Sequence, residues 1–178
     1  MEKEAILETL KNAVKSYPDF PIPGVIFRDL FSVLADPQLF PLLKKCLIEE
    51  VKAINPPVEC VVSLDARGFL LGPIIALELG IPFIPIRKKG KLPGKVRSYD
   101  YTIEYGQSTV EIQENSVKPG QKVLVVDDLL ATGGTLDAAC KLIKQEGGDV
   151  VSCLVVMELN DLKGREKISA NVISLLQF

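Results

Sequence analysis

Histidine is absent from all 178 residues. That removes the commonest general base, the Ser-His-Asp and Cys-His arrangements and the commonest transition-metal ligand. Any metal is then expected to be a hard cation held by oxygen, such as Mg²⁺. Cysteine is scarce, and Cys46, Cys60, Cys140 and Cys153 stand far apart in apolar surroundings with no Cys-x-x-Cys spacing. They read as reduced core residues rather than a disulfide framework or a zinc site. No run of about 18 apolar residues occurs, and the start Met1-Glu2-Lys3-Glu4 lacks the layout of a secretion signal. A cytoplasmic protein with no membrane partner is the expectation. Cationic excess is also missing, with 21 Lys and Arg against 23 Asp and Glu. No nucleic-acid partner is expected, and any anion site must be a local cluster.

What is present is an ordinary globular composition, 47% hydrophobic and 25% charged. It suits one domain, residues 1–178, able to bury about 70% of its unfolded surface. Ile6, Leu10, Ala13 and Val14 are spaced for a helix over 2–16, followed by a proline-stiffened loop over 17–24. Asp36-Pro37 reads as an N-cap with proline at the first helical position, opening a helix that runs to about Ile54. Strands are expected over 58–64, 81–86, 109–113, 123–126, 150–157 and 172–176, with helices over 68–79 and 135–146. Strands alternating with helices predict an α/β fold with a largely parallel sheet and ligands outside the strands' carboxyl ends.

The densest chemistry lies in 122–135. Val123, Leu124, Val125 and Val126 form an unbroken apolar run, the pattern of a strand covered on both faces. Asp127 and Asp128 follow where that strand is expected to leave the core. Adjacent carboxylates repel, so a half-buried pair needs hydroxyls, water or a cation, which ribose and Mg²⁺ could supply. Ala131-Thr132-Gly133-Gly134-Thr135 then opens a helical pattern. Its glycines let backbone approach a phosphate, whose charge suits a helix N-terminus. A tight turn with a threonine cap is the plain alternative for this stretch. A Walker loop is excluded because no Lys-Ser or Lys-Thr follows the glycines, and a dinucleotide fingerprint because Gly-x-Gly-x-x-Gly is absent.

Two further clusters follow expected strands. Asp65-Ala66-Arg67-Gly68 places a guanidinium at a helix start, a fit for pyrophosphate or, equally, a surface Asp–Arg pair. Arg87, Lys88, Lys89, Lys91, Lys95 and Arg97 surround Gly90, Pro93 and Gly94. By composition this is a solvated basic loop; by position, between a strand and Tyr99, Asp100, Tyr101, Glu104 and Tyr105, residues 87–106 read as a flexible lid.

The stretch 123–135 resembles the phosphoribosyl pyrophosphate (PRPP) loop of the type I phosphoribosyltransferases. Pro18-Asp19-Phe20-Pro21, Pro23-Gly24-Val25-Ile26-Phe27-Arg28-Asp29, Arg67-Gly68-Phe69, Arg87-Lys88-Lys89-Gly90-Lys91-Leu92-Pro93-Gly94, Glu104-Tyr105-Gly106 and Leu162-Lys163-Gly164-Arg165-Glu166 extend the resemblance over nearly the whole chain, toward the branch whose acceptor is adenine. It implies the type I fold, with an N-terminal base-binding segment over 1–35 and the lid over 87–106, in a Mg²⁺-dependent homodimer. It implies transfer of phosphoribose from PRPP to N9 of adenine. Asp127 and Asp128 would hold ribose hydroxyls and Mg²⁺ through water, and Ala131, Thr132, Gly133, Gly134 and Thr135 the 5′-phosphate. Asp65, Ala66, Arg67, Arg87, Lys88 and Lys91 would take pyrophosphate, with a cis peptide at Asp65–Ala66. Val25, Ile26, Phe27, Arg28 and Leu129 would take adenine, and Arg67, Glu104 and Tyr105 would serve catalysis. Asp100, where a hydroxyl residue is usual, departs from the pattern, as do Lys95 and Arg97. From the residues alone, 23–27 could instead be an edge strand filling the core. Another base as acceptor, or a regulator that binds PRPP without catalysis, are the competing functions.

Overall fold

A computed structural model describes residues 2–103 and 106–178, and the chain divides into two compact units near residue 49. In the first, helix α1 (Lys3–Ala13) buries Ile6 and Leu10, four residues apart on one face. The helix expected to reach Ser16 stops at Ala13. Strand β1 (Lys15–Pro18) then pairs antiparallel with β2 (Ile26–Asp29), Tyr17 opposite Phe27. Pro18 disfavours helical backbone at Tyr17, which tips the segment into extended pairing. The stiff loop of the sequence reading is therefore a hairpin, its turn held by the Asp19 carboxylate accepting from the Gly24 N–H at 2.8 Å. After the short helix α2 (Phe31–Leu34), helix α3 (Leu39–Lys52) starts where Asp36-Pro37 predicted. The Asp36 carboxylate accepts from the N–H groups of Gln38 and Leu39 at 2.8 and 3.3 Å.

The second unit is built on a seven-stranded sheet. Its strands are β3 (Cys60–Leu64), β4 (Phe83–Lys88), β5 (Val96–Ile103), β6 (Gly106–Gln113), β7 (Lys122–Leu130), β8 (Asp149–Glu158) and β9 (Val172–Gln177), in the order β5-β6-β4-β3-β7-β8-β9. From β4 to β9 every pairing is parallel, as expected. At the other edge β6 runs antiparallel to both β4 and β5. Much of the segment read as a lid is therefore a β5–β6 hairpin, because Val96, Tyr99, Tyr101 and Ile103 favour a pleated surface over a loop.

A 3₁₀ turn (Arg67–Leu70) and helix α4 (Gly72–Leu79) join β3 to β4, where one longer helix was expected, and α5 (Gly134–Gln145) joins β7 to β8. Right-handed crossovers in opposite directions leave α4 and α5 on opposite faces of the sheet. The strand order thus reverses between β3 and β7, and the carboxyl ends of these two strands flank the crevice where such sheets bind ligands. Gly72 lets α4 settle on β3, since a Cβ there would lie 1.8 Å from Ser63 Oγ. All four cysteines are free and buried, as read from their surroundings.

Candidate active site

Strand β7 was expected to end at Val126, but its ladder with β8 continues through Asp127–Val155 to Leu130–Glu158. The acidic pair therefore sits inside a strand, where successive side chains point to opposite faces. The two carboxylates acquire different environments. Asp128 is buried, 4% exposed, and ion-paired with Arg67 Nε from the turn after β3. Asp127 Oδ1 accepts from the Asp128 N–H at 2.9 Å. Burial first, and the Asp128 charge second, hold the Asp127 carboxyl well above the ordinary carboxylate range. One member of the pair has its cation in place; the other carries the costly charge and would gain most from a hydroxyl donor or a divalent ion. Gly68 permits this arrangement, because a Cβ there would meet Val126 O at 2.9 Å and Asp127 Oδ1 at 3.1 Å.

Residues 131–135 form the next part of the site. Together with Asp127, Leu129, Leu130 and Leu136 they line a cavity of about 90 Å³, the volume of about three waters at ~30 Å³ each. That is the scale of a single tetrahedral anion, and α5 presents its N-terminus there. Gly133 has φ +84°, and a Cβ on it would lie 2.3 Å from Gly164 O. The loop thus needs glycine for its backbone conformation and for its close packing. Thr135 Oγ1 lies 3.3 Å from the Tyr101 hydroxyl of β5.

The Asp65–Ala66 peptide is cis, as the resemblance implied. Asp65 accepts from Arg87 Nε at 3.0 Å, while Arg67 reaches across to Asp128, so two strand-end clusters are cross-linked by charge. Arg87 also lies over the Phe69 ring, 5.8 Å from its centroid. Lys88 ends β4 and Lys91 follows in the connecting loop, both exposed. The loop is anchored by Glu111, which accepts from the Gly90 N–H at 2.9 Å. Glu104 and Tyr105 lie outside the described residues.

Val25, Ile26, Phe27 and Arg28 belong to the N-terminal unit. The reading of this stretch as a strand filling the core is corrected in part. Residues from Ile26 are a strand, yet Val25 and Ile26 are 38% and 51% exposed. A two-stranded hairpin leaves one face uncovered within its unit. Phe27 packs edge-on against Phe20 at 5.2 Å, and Arg28 Nη1 donates to Ser16 Oγ at 2.6 Å. Sequence reasoning assigned no role to Gly164, Tyr101 or Glu111. No local spacing links Gly164 to Gly133, and only the folded backbone puts them in contact.

A reversal point between β3 and β7, a paired acidic step on β7 and a glycine loop at the start of α5 define a phosphoribosyl-handling site. The family described as phosphoribosyl transferase domain matches residues 32–177, and the chain belongs to that family. It is 48% identical over 172 residues to the adenine phosphoribosyltransferase of Drosophila pseudoobscura pseudoobscura, covering 97% of this chain and 95% of that one. Its fold is similar to that of adenine phosphoribosyltransferase from Thermoanaerobacter pseudethanolicus, with TM-score 0.92, 41% identity and coverage of 97% and 99% of the two chains. The Saccharomyces cerevisiae adenine phosphoribosyltransferase, solved with an imino-altritol bisphosphate and adenine, gives TM-score 0.91 at 41% identity over 97% of this chain and 99% of that one. Within the family the chain stands with the adenine phosphoribosyltransferases.

Proposed function

We propose that this chain is a purine salvage enzyme, transferring the phosphoribosyl group of PRPP to N9 of adenine and giving AMP and pyrophosphate. The observation that carries the reading is the meeting of Arg67, from the end of β3, with Asp128 of β7, beside the cavity lined by Asp127 and residues 131–135. The relatives' adenine specificity supplies the acceptor.

Negative charge grows on the departing pyrophosphate while the ribose becomes oxocarbenium-like, as at other anomeric centres. Asp65, Ala66 and Arg67 cradle the pyrophosphate, and Arg87, Lys88 and Lys91 offset its charge. The loop 131–135 holds the 5′-phosphate through backbone N–H groups and hydroxyls. Asp127 and Asp128 orient the ribose hydroxyls. Val25, Ile26, Phe27 and Arg28 with Leu129 take the base. Glu104 moves a proton near N7 of the purine, and Tyr105 closes over the pyrophosphate as the lid 87–106 shuts.

No group of three or more Cys, Asp or Glu able to hold a metal occurs among the described residues. A cation shared between one or two carboxylates and substrate phosphates needs no such cage, and Mg²⁺ is commonly bound that way. Asp127 and Asp128 fit that role through water, and bound Mg²⁺ would neutralise pyrophosphate charge. The units near residue 49 act as one phosphoribosyltransferase domain, in a cytoplasmic homodimer whose partner subunit supplies some lid cations; these points rest on the resemblance.

The test is incubation with PRPP, Mg²⁺ and, separately, adenine, hypoxanthine, guanine and uracil, with the nucleotide product quantified. AMP as the dominant product is expected. Failure to form AMP overturns the reading.

A further inference from the structure

We infer that Arg165 and Glu158, acting through Gly164, are positioning residues that set where the phosphate loop 131–135 sits; the assignment rests on the phosphoribosyl-transfer reading above. Glu158 closes β8 and is 5% exposed, a position where a carboxylate is costly unless paired. Arg165 supplies the pair in a two-pronged contact, Nε to Oε1 at 3.0 Å and Nη2 to Oε2 at 2.5 Å. The same guanidinium donates from Nη1 to Val172 O at 2.5 Å and from Nη2 to Ser174 Oγ at 3.2 Å. Ser174 Oγ in turn donates to Glu158 Oε2 at 2.6 Å. One side chain thus ties the 3₁₀ turn Gly164–Lys167 to β8 and β9. The Arg165 hydrogen bond holds the Glu158 carboxyl below its ordinary range, in keeping with an ion pair kept closed.

The residue before Arg165 touches the loop with bare backbone. A Cβ on Gly164 would lie 2.2 Å from Ala131 O and 2.9 Å from Gly133 N, and one on Gly133 would lie 2.3 Å from Gly164 O. Leu130 Cδ1 also comes within 2.9 Å of the Cβ position on Gly164, but the approach of Gly164 to Gly133 is backbone on backbone. A displacement of the turn therefore passes undamped into the backbone that receives the 5′-phosphate. Neither Arg165 nor Glu158 lines the loop cavity, so their effect on the ligand runs through the loop.

The experiment compares Arg165→Ala, Glu158→Gln and Gly164→Ala with the wild type. It reads separate KM values for PRPP and adenine, the binding of ribose 5-phosphate by calorimetry, and melting temperature. A misplaced loop is expected to raise KM for PRPP about ten- to hundredfold and to weaken ribose 5-phosphate in proportion, with KM for adenine changed less than about twofold. Millimolar guanidinium is expected to recover part of the PRPP affinity of Arg165→Ala. A purely structural role would lower the melting temperature and the active fraction while leaving both KM values alone, and that result overturns the inference. Should Arg165→Ala fail to fold, Gly164→Ala and Glu158→Gln decide the question by the same ratio of KM values. A wild type that makes no AMP would overturn the transfer reading instead, and ribose 5-phosphate calorimetry on the variants would still decide the positioning role.

Discussion

Residues 131–135 connect a strand and a helix that are both largely buried, β7 and α5, whereas residues 88–95 connect β4 to β5 at the sheet edge with most side chains in water. Both stretches are glycine-rich and both are assigned a phosphate group. The first has Gly133 and Gly164 in backbone contact and offers fixed N–H groups at a helix start. The second has its backbone tied to β6 and the residue after it at Lys89, Gly90, Pro93 and Lys95, but the groups it offers are Lys88 and Lys91 on flexible stems. Backbone held by packing is already placed before the ligand arrives, while exposed lysines must be gathered by it and lose side-chain freedom in doing so. On the proposed assignment, the ribose 5-phosphate end is built for geometry and the pyrophosphate end for charge.

Four substitutions break or sharpen that contrast. The largest effect is expected for Asp127→Asn, which removes the charge facing the cavity and should lower kcat/KM for PRPP on the order of a hundredfold or more. The same change should stabilise the ligand-free protein at neutral pH. Because the folded Asp127 carboxyl titrates above the ordinary value of about 3.9, the protonated form favours folding. Stability is present at low pH and is lost as pH rises through the folded value, so Asn should remove that loss. Urea denaturation of both proteins at about pH 4 and pH 8 checks the sign, and a variant less stable at the higher pH would contradict it.

Next comes Gly133→Ala, where φ +84° and the approach of Gly164 O leave no room for a methyl group. A cost of order 1–3 kcal/mol in stability is expected, with weaker binding of ribose 5-phosphate, measured by thermal melting and calorimetry. A smaller, charge-only effect is expected for Lys88→Ala. PRPP affinity should fall about tenfold at low salt and by less at high salt, because the lost attraction is screened. Equal losses at both ionic strengths would mean that the lysine acts by position and would erase the contrast between the two regions.

The smallest effect is assigned to Arg97→Gln. Arg97 pairs with Glu146 at 2.5 Å, the arginine side chain 43% exposed and the carboxylate 3%, while the β5–β6 hairpin is also held by Tyr99 and Tyr101 packed on the core. Loss of the half-solvated Arg97 alone costs little, because the Asn115 N–H still donates to Glu146 at 2.7 Å. Melting temperature should be nearly unchanged, while amide exchange in β5 should quicken. A large drop in melting temperature would show that the hairpin belongs to the rigid part of the molecule.

Much of the candidate site was legible because its pattern is local. The apolar run at Val123–Val126, the acidic pair and the glycine turn are contiguous, and a buried strand, a carboxylate pair and a helix start each leave a short-range pattern. The start of α3 at Asp36-Pro37 was legible for the same reason. Less was readable where two distant segments decide the outcome. Lys15–Pro18 is a strand by pairing with Ile26–Asp29, and β7 runs past Val126 alongside β8.

The order of residues in 122–135 by itself determined a strand, a glycine turn and a helix, since backbone preferences and side-chain periodicity act over a few residues. Which carboxylate is neutralised was settled by the tertiary structure alone. Arg67 lies 61 residues before Asp128, and their pairing follows from β3 and β7 lying side by side. The pairing of Arg87 with Asp65 has the same origin, as does the seating of Gly133 on Gly164. Charge pairing and close backbone approach depend on distance in space, and only the folded sheet brings these residues together.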